Sequence, residues 1–308
     1  MQNIGITTIS FLIAVVLISQ HSFAQEKQSI IDVVQNDKVV NSFNPVCDDI
    51  PLIPDYLGRF SELRALYLTS CDLTELPSGV EQITSMSLLN LEGNQLTSLP
   101  SSMLSLSNLK VVNLRNNQFK SVPAALLSLP MLRELDLAFN DQLDLTKAIE
   151  DLSNVSNLDF LYLSGLKINT LPTSITKLRS LEELHLSHNP KMDLPQVFRA
   201  LSRVPSLNIL VLSNNQLVDL PEELALLKQS KGLVLDNNPE MDLNVLNHQL
   251  SKLPALKVLL LRNNGLQSLP SSLNSFQNLA VLDLSGNEFS ESTKTAIKDQ
   301  LPETNVIF

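Results

Sequence analysis

The chain has 308 residues, with 32 acidic against 22 basic side chains, a net charge of −10 and a sequence pI near 4.9. A body this acidic repels phosphate backbones and anionic lipid head groups, which argues against nucleic acid as a partner. Aromatic residues make up 5% of the chain and Trp is absent, so the core is expected to rest mainly on Leu. In chain order, residues 1–24 come first and differ from everything after them. From Ile9 to Ile18 the sequence is almost wholly apolar, then turns polar at Ser19-Gln20-His21. Ser22-Phe23-Ala24 puts small residues at the −3 and −1 positions of a cut before Gln25, the pattern of a secretory signal cleaved after Ala24. Met1–Thr8 supplies no Lys or Arg, and an uncleaved anchor is the alternative. The apolar run is shorter than the about 20 residues that span a bilayer, so no stable membrane span is expected.

Residues 25–62 read as an N-terminal cap, because Ile50-Pro51-Leu52-Ile53-Pro54 lines up one period before Leu73-Thr74-Glu75-Leu76-Pro77. From 63 to 290 the phrase L-x-x-L-x-L-x-x-N-x-L recurs ten times, usually followed by x-x-L-P. Leu109, Val112, Leu114, Asn117, Phe119, Val122 and Pro123 show one unit in full. The units begin at Leu63, Met86, Leu109, Leu132, Leu158, Leu181, Leu207, Ser230, Leu256 and Leu279, at spacings of 23 or 26 residues. The three long units share an Asp-Leu phrase that runs into a helical pattern, for which Asp193 and Asp242 are suited caps. Residues 291–308 lose the repeat and read as a helical cap, with Ser292 as N-cap, Ala296, Ile297 and Leu301 on its apolar side, and a last extended piece at Asn305–Phe308.

A fixed period of this kind outranks other local signals, because no unit buries its apolar face alone and each must stack on its neighbours. The chain resembles leucine-rich repeat proteins, specifically the Leu-Pro class found in bacterial secreted proteins, plant intracellular repeat proteins and animal Ras-pathway scaffolds. The resemblance covers about Leu63 to Phe289. It implies an α/β fold: a leucine-rich-repeat solenoid, curved and right-handed, with a parallel sheet on the concave side and mixed helices and turns on the convex side. Within each unit, x-x-L-x-L is a short strand whose two Leu point inward while the residues between them point out. Pro after each Leu-Pro phrase removes a backbone donor and suits an extended or helix-starting return. Units of 26 residues have room for about two helical turns there, and units of 23 for a turn or a short 3₁₀ segment.

Eight units carry Asn in one column: Asn94, Asn117, Asn140, Asn189, Asn215, Asn238, Asn264 and Asn287. These amides are expected to bond backbone groups where the strand turns away, a structural role. Cys71 and Leu166 stand in that column in the other two units; Cys is a familiar substitute in the family, and Leu removes the bond. Cys47 and Cys71 are one period apart, and the strand spacing of about 4.8 Å suits bridged Cα atoms. A disulfide tying the cap to the first unit is one reading, favoured by export; two packed thiols, or side chains facing apart, is the other.

No nucleophile elbow, phosphate loop, zinc-ligand helix or paired-cysteine phrase occurs in the chain, so no catalytic, cofactor or metal role is assigned. His185 and His188 lie near Glu183, with Asp136 two units earlier, but a metal needs three or four ligands converging at about 2 Å. The outward strand positions are more informative. Around units four to six they combine acids with rings: Glu134, Asp136, Phe139, Phe160, Tyr162, Glu183, His185 and His188. Around units seven to ten they form an apolar stripe: Ile209, Val211, Val234, Val258, Leu260 and Val281. Val and Ile suit strands whichever way they face, yet contiguous exposed aliphatics mark contact surfaces and aromatics concentrate at binding hot spots. The reading is a non-enzymatic module, secreted or periplasmic, that binds a protein or peptide ligand on its concave face. The alternatives are a self-associating structural component of the envelope or matrix, and an unprocessed cytoplasmic scaffold.

Overall fold

The computed structural model describes residues 26–35 and 40–308. The expected signal sequence and its expected cleavage point after Ala24 lie outside the described residues. The described chain divides into two units: residues up to Leu166 together with Pro172–Leu181, and Lys167–Leu171 together with Glu182–Phe308.

In the first unit six short strands pair in parallel and in chain order: β1 (Ser42–Phe43), β2 (Ala65–Tyr67), β3 (Leu88–Asn90), β4 (Val111–Asn113), β5 (Glu134–Asp136) and β6 (Phe160–Tyr162). The register follows the sequence period, with Ala65 opposite Leu88 and Val111 opposite Glu134. The middle residue of each strand and the Leu two positions on face the core. Leu66, Leu68, Leu89, Leu91, Leu135 and Leu137 are all at most 1% exposed. The second unit repeats the arrangement with β7 (Glu183–His185), β8 (Ile209–Val211), β9 (Gly232–Val234), β10 (Val258–Leu260), β11 (Val281–Asp283) and β12 (Asn305–Ile307). Each strand from β2 onward has only three residues, and the next inward Leu is followed by the turn that the Asn column stabilises.

The cap is itself a shortened repeat. Helix α1 (Ile30–Gln35) precedes β1, and Ser42 pairs with Ala65 at the same period as the later strands. A 3₁₀ stretch over Cys47–Phe60 buries Ile50, Ile53 and Phe60, and the Phe60 ring stacks on Phe43 with centroids 5.3 Å apart. Cys47 and Cys71 are joined by a disulfide, with Cα atoms 5.3 Å apart. Lys27 Nζ lies 2.9 Å from Cys47 Sγ.

On the return side, repeat length decides helix type. The long units form α2 (Leu145–Leu152), α3 (Leu194–Leu201) and α4 (Leu243–Leu250), two turns each, whereas the short units have 3₁₀ segments such as Ser101–Ser105 and Glu222–Leu226. Asp144, Asp193 and Asp242 cap the three helices, accepting amide hydrogens from Lys147 (3.0 Å), Gln196 (3.1 Å) and Asn244 (2.7 Å). Carboxylates here also complement the positive end of the helix dipole. The last helix, α5 (Glu291–Gln300), departs from expectation at its start. Ser290 caps it, accepting from the Thr293 amide at 3.2 Å, and Ser292 lies inside the helix. That phase turns Ile297 and Leu301 inward, 3% and 2% exposed, and leaves Ala296 exposed. Lys294 hydrogen-bonds Glu291 and holds its carboxyl below the usual carboxylate range.

Candidate binding surface

The Asn column sets the geometry of the sheet edge from which the outward residues project. Asn117 is typical: its Oδ1 accepts the Leu96 amide at 3.0 Å, and its Nδ2 donates to Leu91 O at 2.9 Å and Leu114 O at 3.0 Å. Each such amide therefore bonds its own coil and the one before it. Asn94 and Asn140 do the same in the first unit. In the second unit Asn189, Asn215, Asn238, Asn264 and Asn287 continue it: Asn189 accepts the Ile168 amide, and each of the last four accepts the backbone amide of the ladder Asn before it. Cys71, which lacks the amide, gives its own N–H to Asn94 Oδ1 at 3.1 Å.

Directly before this column lies a second one that the sequence reading missed. Ser70, Gly93, Asn116, Phe139, Gly165, His188, Asn214, Asn237, Asn263 and Gly286 all have φ between 52° and 73°, in the left-handed region. The turn out of each strand demands it. Gly tolerates that conformation and Asn is enriched there, whereas a bulky side chain is strained by about 1–2 kcal/mol. The signal was present as a run of Gly and Asn before the ladder. Against it, Phe139 and His188 are the exceptions.

In the first unit the outward residues are largely satisfied by one another. Glu134 on β5 is the register partner of Phe160 on β6, and Asp136 that of Tyr162. Tyr162 donates its hydroxyl to Glu134 Oε1 at 3.1 Å and is only 8% exposed, so the ring is less open than its strand position suggests. Asp136 Oδ1 accepts the Ala138 amide at 2.8 Å. Phe139 is half-buried under the Arg115 guanidinium, 4.3 Å from the ring centroid, and Arg115 in turn lies 3.5 Å from Glu92. Gly165 makes room for the ring, since a Cβ there would lie 2.5 Å from Phe139 Cδ1. Phe160 is half-buried.

The second unit differs from the open stripe expected. Ile209, Val211, Val234, Val258, Leu260 and Val281 form one apolar cluster, each 0–4% exposed, with Ala280 packed against it. Glu183 and His185, expected as polar surface, are 0% and 6% exposed and joined at 2.6 Å between Glu183 Oε1 and His185 Nε2. Residues i and i+2 of a strand share a face, which is why these two meet. His188 lies beyond the strand, exposed, its amide donating to Ser213 O at 3.1 Å. Among the described residues, no group of three or more His, Cys, Asp or Glu is placed to hold a metal ion, and no helix is long and apolar enough to cross a membrane.

Residues 51–163 match a family model described as a leucine-rich repeat region. That match covers the first four of the ten tandem units and the start of the fifth, whose strands pair in parallel and in chain order. The chain thus carries a leucine-rich repeat region. Its fold is the α/β leucine-rich-repeat solenoid architecture. Among solved structures, the chain is similar to one from the Drosophila Toll–Spatzle complex, at 23% identity and a TM-score of 0.54, over 77% of this chain and 35% of that one. It is also similar to a Leptospira interrogans leucine-rich repeat protein, at 21% identity and TM-score 0.40, over 92% of this chain and 100% of that one. An internalin from Listeria monocytogenes is similar at 22% identity and TM-score 0.46, over 85% of this chain and 87% of that one. No curated protein sequence matches the chain.

Proposed function

We propose that the protein is an exported, non-enzymatic module that binds a protein or peptide on the sheet face opposite its leucine core, the concave side in this fold. The observation that carries this reading is the pair Phe139 and His188. Both stand at left-handed positions, with φ of 56° and 57°, where Ser, Asn or Gly serves in the other units. A ring held there works against local backbone preference, and such strain concentrates at ligand-contacting sites. Aromatic side chains are also the commonest binding anchors. Phe160 and Tyr162 share the outward face of β6 with each other. Leucine-rich repeat proteins typically serve in protein recognition, which supports the class of activity.

Export rests on the apolar run Ile9–Ile18 and the Ser22-Phe23-Ala24 cut site. N-terminal sequencing of the protein recovered from its producing cells should read Gln25 first. The binding reading is tested by a crosslinked pull-down from envelope extract, read by mass spectrometry, with the wild type beside a Phe160→Ala/Tyr162→Ala double mutant. The wild type should capture one dominant protein, and the folded double mutant should capture it at least about tenfold less well, as hot-spot losses of 2 kcal/mol or more imply. Equal capture by the double mutant removes the aromatic face from the site.

A further inference from the structure

Where the amide ladder reaches the first repeat, Cys71 stands in place of Asn, and two other groups take over the work of the missing amide. In later coils the amide nitrogen touches the carbonyl two residues before it: Asn94 reaches Glu92 O at 3.4 Å, Asn117 reaches Arg115 O at 3.2 Å and Asn238 reaches Asp236 O at 3.1 Å. The equivalent carbonyl in the first coil is Thr69 O, and Lys27 Nζ donates to it at 3.2 Å. The tie to the preceding coil, which the amide makes elsewhere, is here the Cys47–Cys71 disulfide. An ammonium and a sulfur–sulfur bond together replace one side chain.

The replacement differs chemically from what it replaces. An amide hydrogen bond is indifferent to thiols, whereas a disulfide exchanges with them through a mixed disulfide. Lys27 Nζ lies 2.9 Å from Cys47 Sγ and 3.4 Å from Cys71 Sγ. An intact disulfide carries no charge for that ammonium to pair with, but a departing thiolate does, so the cation favours the breaking of the bond. Both cysteines are half-buried and Lys27 is exposed, which leaves the bond within reach of a small thiol. Acidic residues follow each cysteine in sequence, Asp48 and Asp49 at one and Asp72 at the other, and Asp49 already accepts the Ile30 amide at 2.7 Å. The closer ammonium therefore singles out Cys47. Cys71 is the anchored partner, its N–H bonded to Asn94 Oδ1 at 3.1 Å, while Cys47 begins the 3₁₀ stretch of the cap.

We propose that Cys71 is a site of reversible thiolation by a small thiol, that Cys47 is the leaving thiolate stabilised by Lys27, and that this exchange unlatches the cap from the first repeat. The entering thiolate sulfur bonds Cys71 Sγ, the sulfur–sulfur bond breaks, and its electron pair departs on Cys47 beside the ammonium. A second thiolate removes the added group from Cys71 as a small disulfide and leaves a Cys71 thiolate. The protein gains two electrons and the two thiols lose them. Without a second thiol, Cys47 attacks the mixed disulfide and closes the latch again. The Phe43–Phe60 stack and the β1–β2 pairing persist, so opening loosens the cap and leaves the repeats folded. This device is independent of which ligand the sheet face binds.

The test measures disulfide opening in the oxidised full chain by glutathione, which is anionic, and by cysteamine, which is cationic. Lys27→Gln keeps a donor for Thr69 O but removes the charge, and should slow opening by both thiols about fivefold, the scale of a better leaving group. Lys27→Arg should stay near the wild-type rate. Acid quenching, alkylation and peptide mapping of the wild type should place the glutathione adduct on Cys71 and the alkyl group on Cys47. Hydrogen exchange should rise over residues 40–60 on reduction and stay unchanged from Leu88 onward. Equal rates in Lys27→Gln, or slowing with glutathione alone, would mean that the ammonium does not act on the leaving sulfur, and overturn the proposal. So would an adduct on Cys47, or a cap whose exchange ignores reduction. Should Lys27→Gln loosen the oxidised cap, the adduct position in the wild type still decides which sulfur leaves.

Discussion

The outward faces of the two units solve the same geometrical problem in opposite ways. In the first, polar and aromatic side chains are half-buried and answer each other: Tyr162 bonds Glu134, and Phe139 lies under Arg115. In the second, aliphatic residues are sealed to 4% exposure or less, and Glu183 and Ser213 keep polar atoms with no partner among the described residues. The backbone repeat is alike in both. Thus the solenoid dictates where an outward side chain begins but leaves open what it meets, and that freedom is where a binding surface can be written.

The largest expected effect comes from placing a charge at matching positions. Val234→Asp puts a carboxylate into a site with 0% exposure and should cost about 3 kcal/mol or more. Asn90→Asp occupies the same strand position in the first unit, half-exposed, and should cost under about 0.5 kcal/mol. Thermal denaturation of both variants checks this; similar losses would erase the contrast. A middle effect tests the Phe139 pocket. Gly165→Ala meets both a positive φ of 68° and the Phe139 ring, and should lose about 2 kcal/mol. Phe139→Ala in the same chain should return part of that loss, leaving the backbone share, so a denaturant double-mutant cycle separates the two causes. The smallest effect compares hydroxyls. Tyr162→Phe removes a bonded hydroxyl and should cost about 1 kcal/mol, whereas Ser213→Ala removes an unbonded one and should cost nothing or stabilise slightly. Equal losses would mean that Ser213 has a donor or acceptor after all.

Much of the architecture was readable from spacing alone. Leu positions set strand and core, the 23- and 26-residue periods separated 3₁₀ from α-helical returns, and the Asp-Leu phrases marked the helix caps. The outward face was legible only in part. Period-two alternation says that Glu183 and Ile209 point away from the leucine core, but burial depends on what lies beside and above them, which alternation does not encode. The left-handed column was legible in principle, as Gly93, Asn116, Asn214, Asn237 and Gly286 are the residues that such a turn selects. It was overlooked because the neighbouring Asn ladder carries the stronger pattern. Ser290 was missed as a cap for a simpler reason: Ser292 and Thr293 follow it and offer the same chemistry two and three residues on.

The ladder has a consequence for the ageing of the molecule. Asn264 is followed by Gly265, the pair in which a side-chain amide cyclises most readily and decays to aspartate or isoaspartate. Here the amide nitrogen is tied to Leu235 O at 3.2 Å, the oxygen to the Asn238 amide at 2.5 Å, and the residue is 2% exposed. Native packing thus holds the group away from the neighbouring backbone nitrogen, and the hazard returns each time the coil opens. The bonds that keep this coil folded are in this way the same ones that slow its chemical ageing.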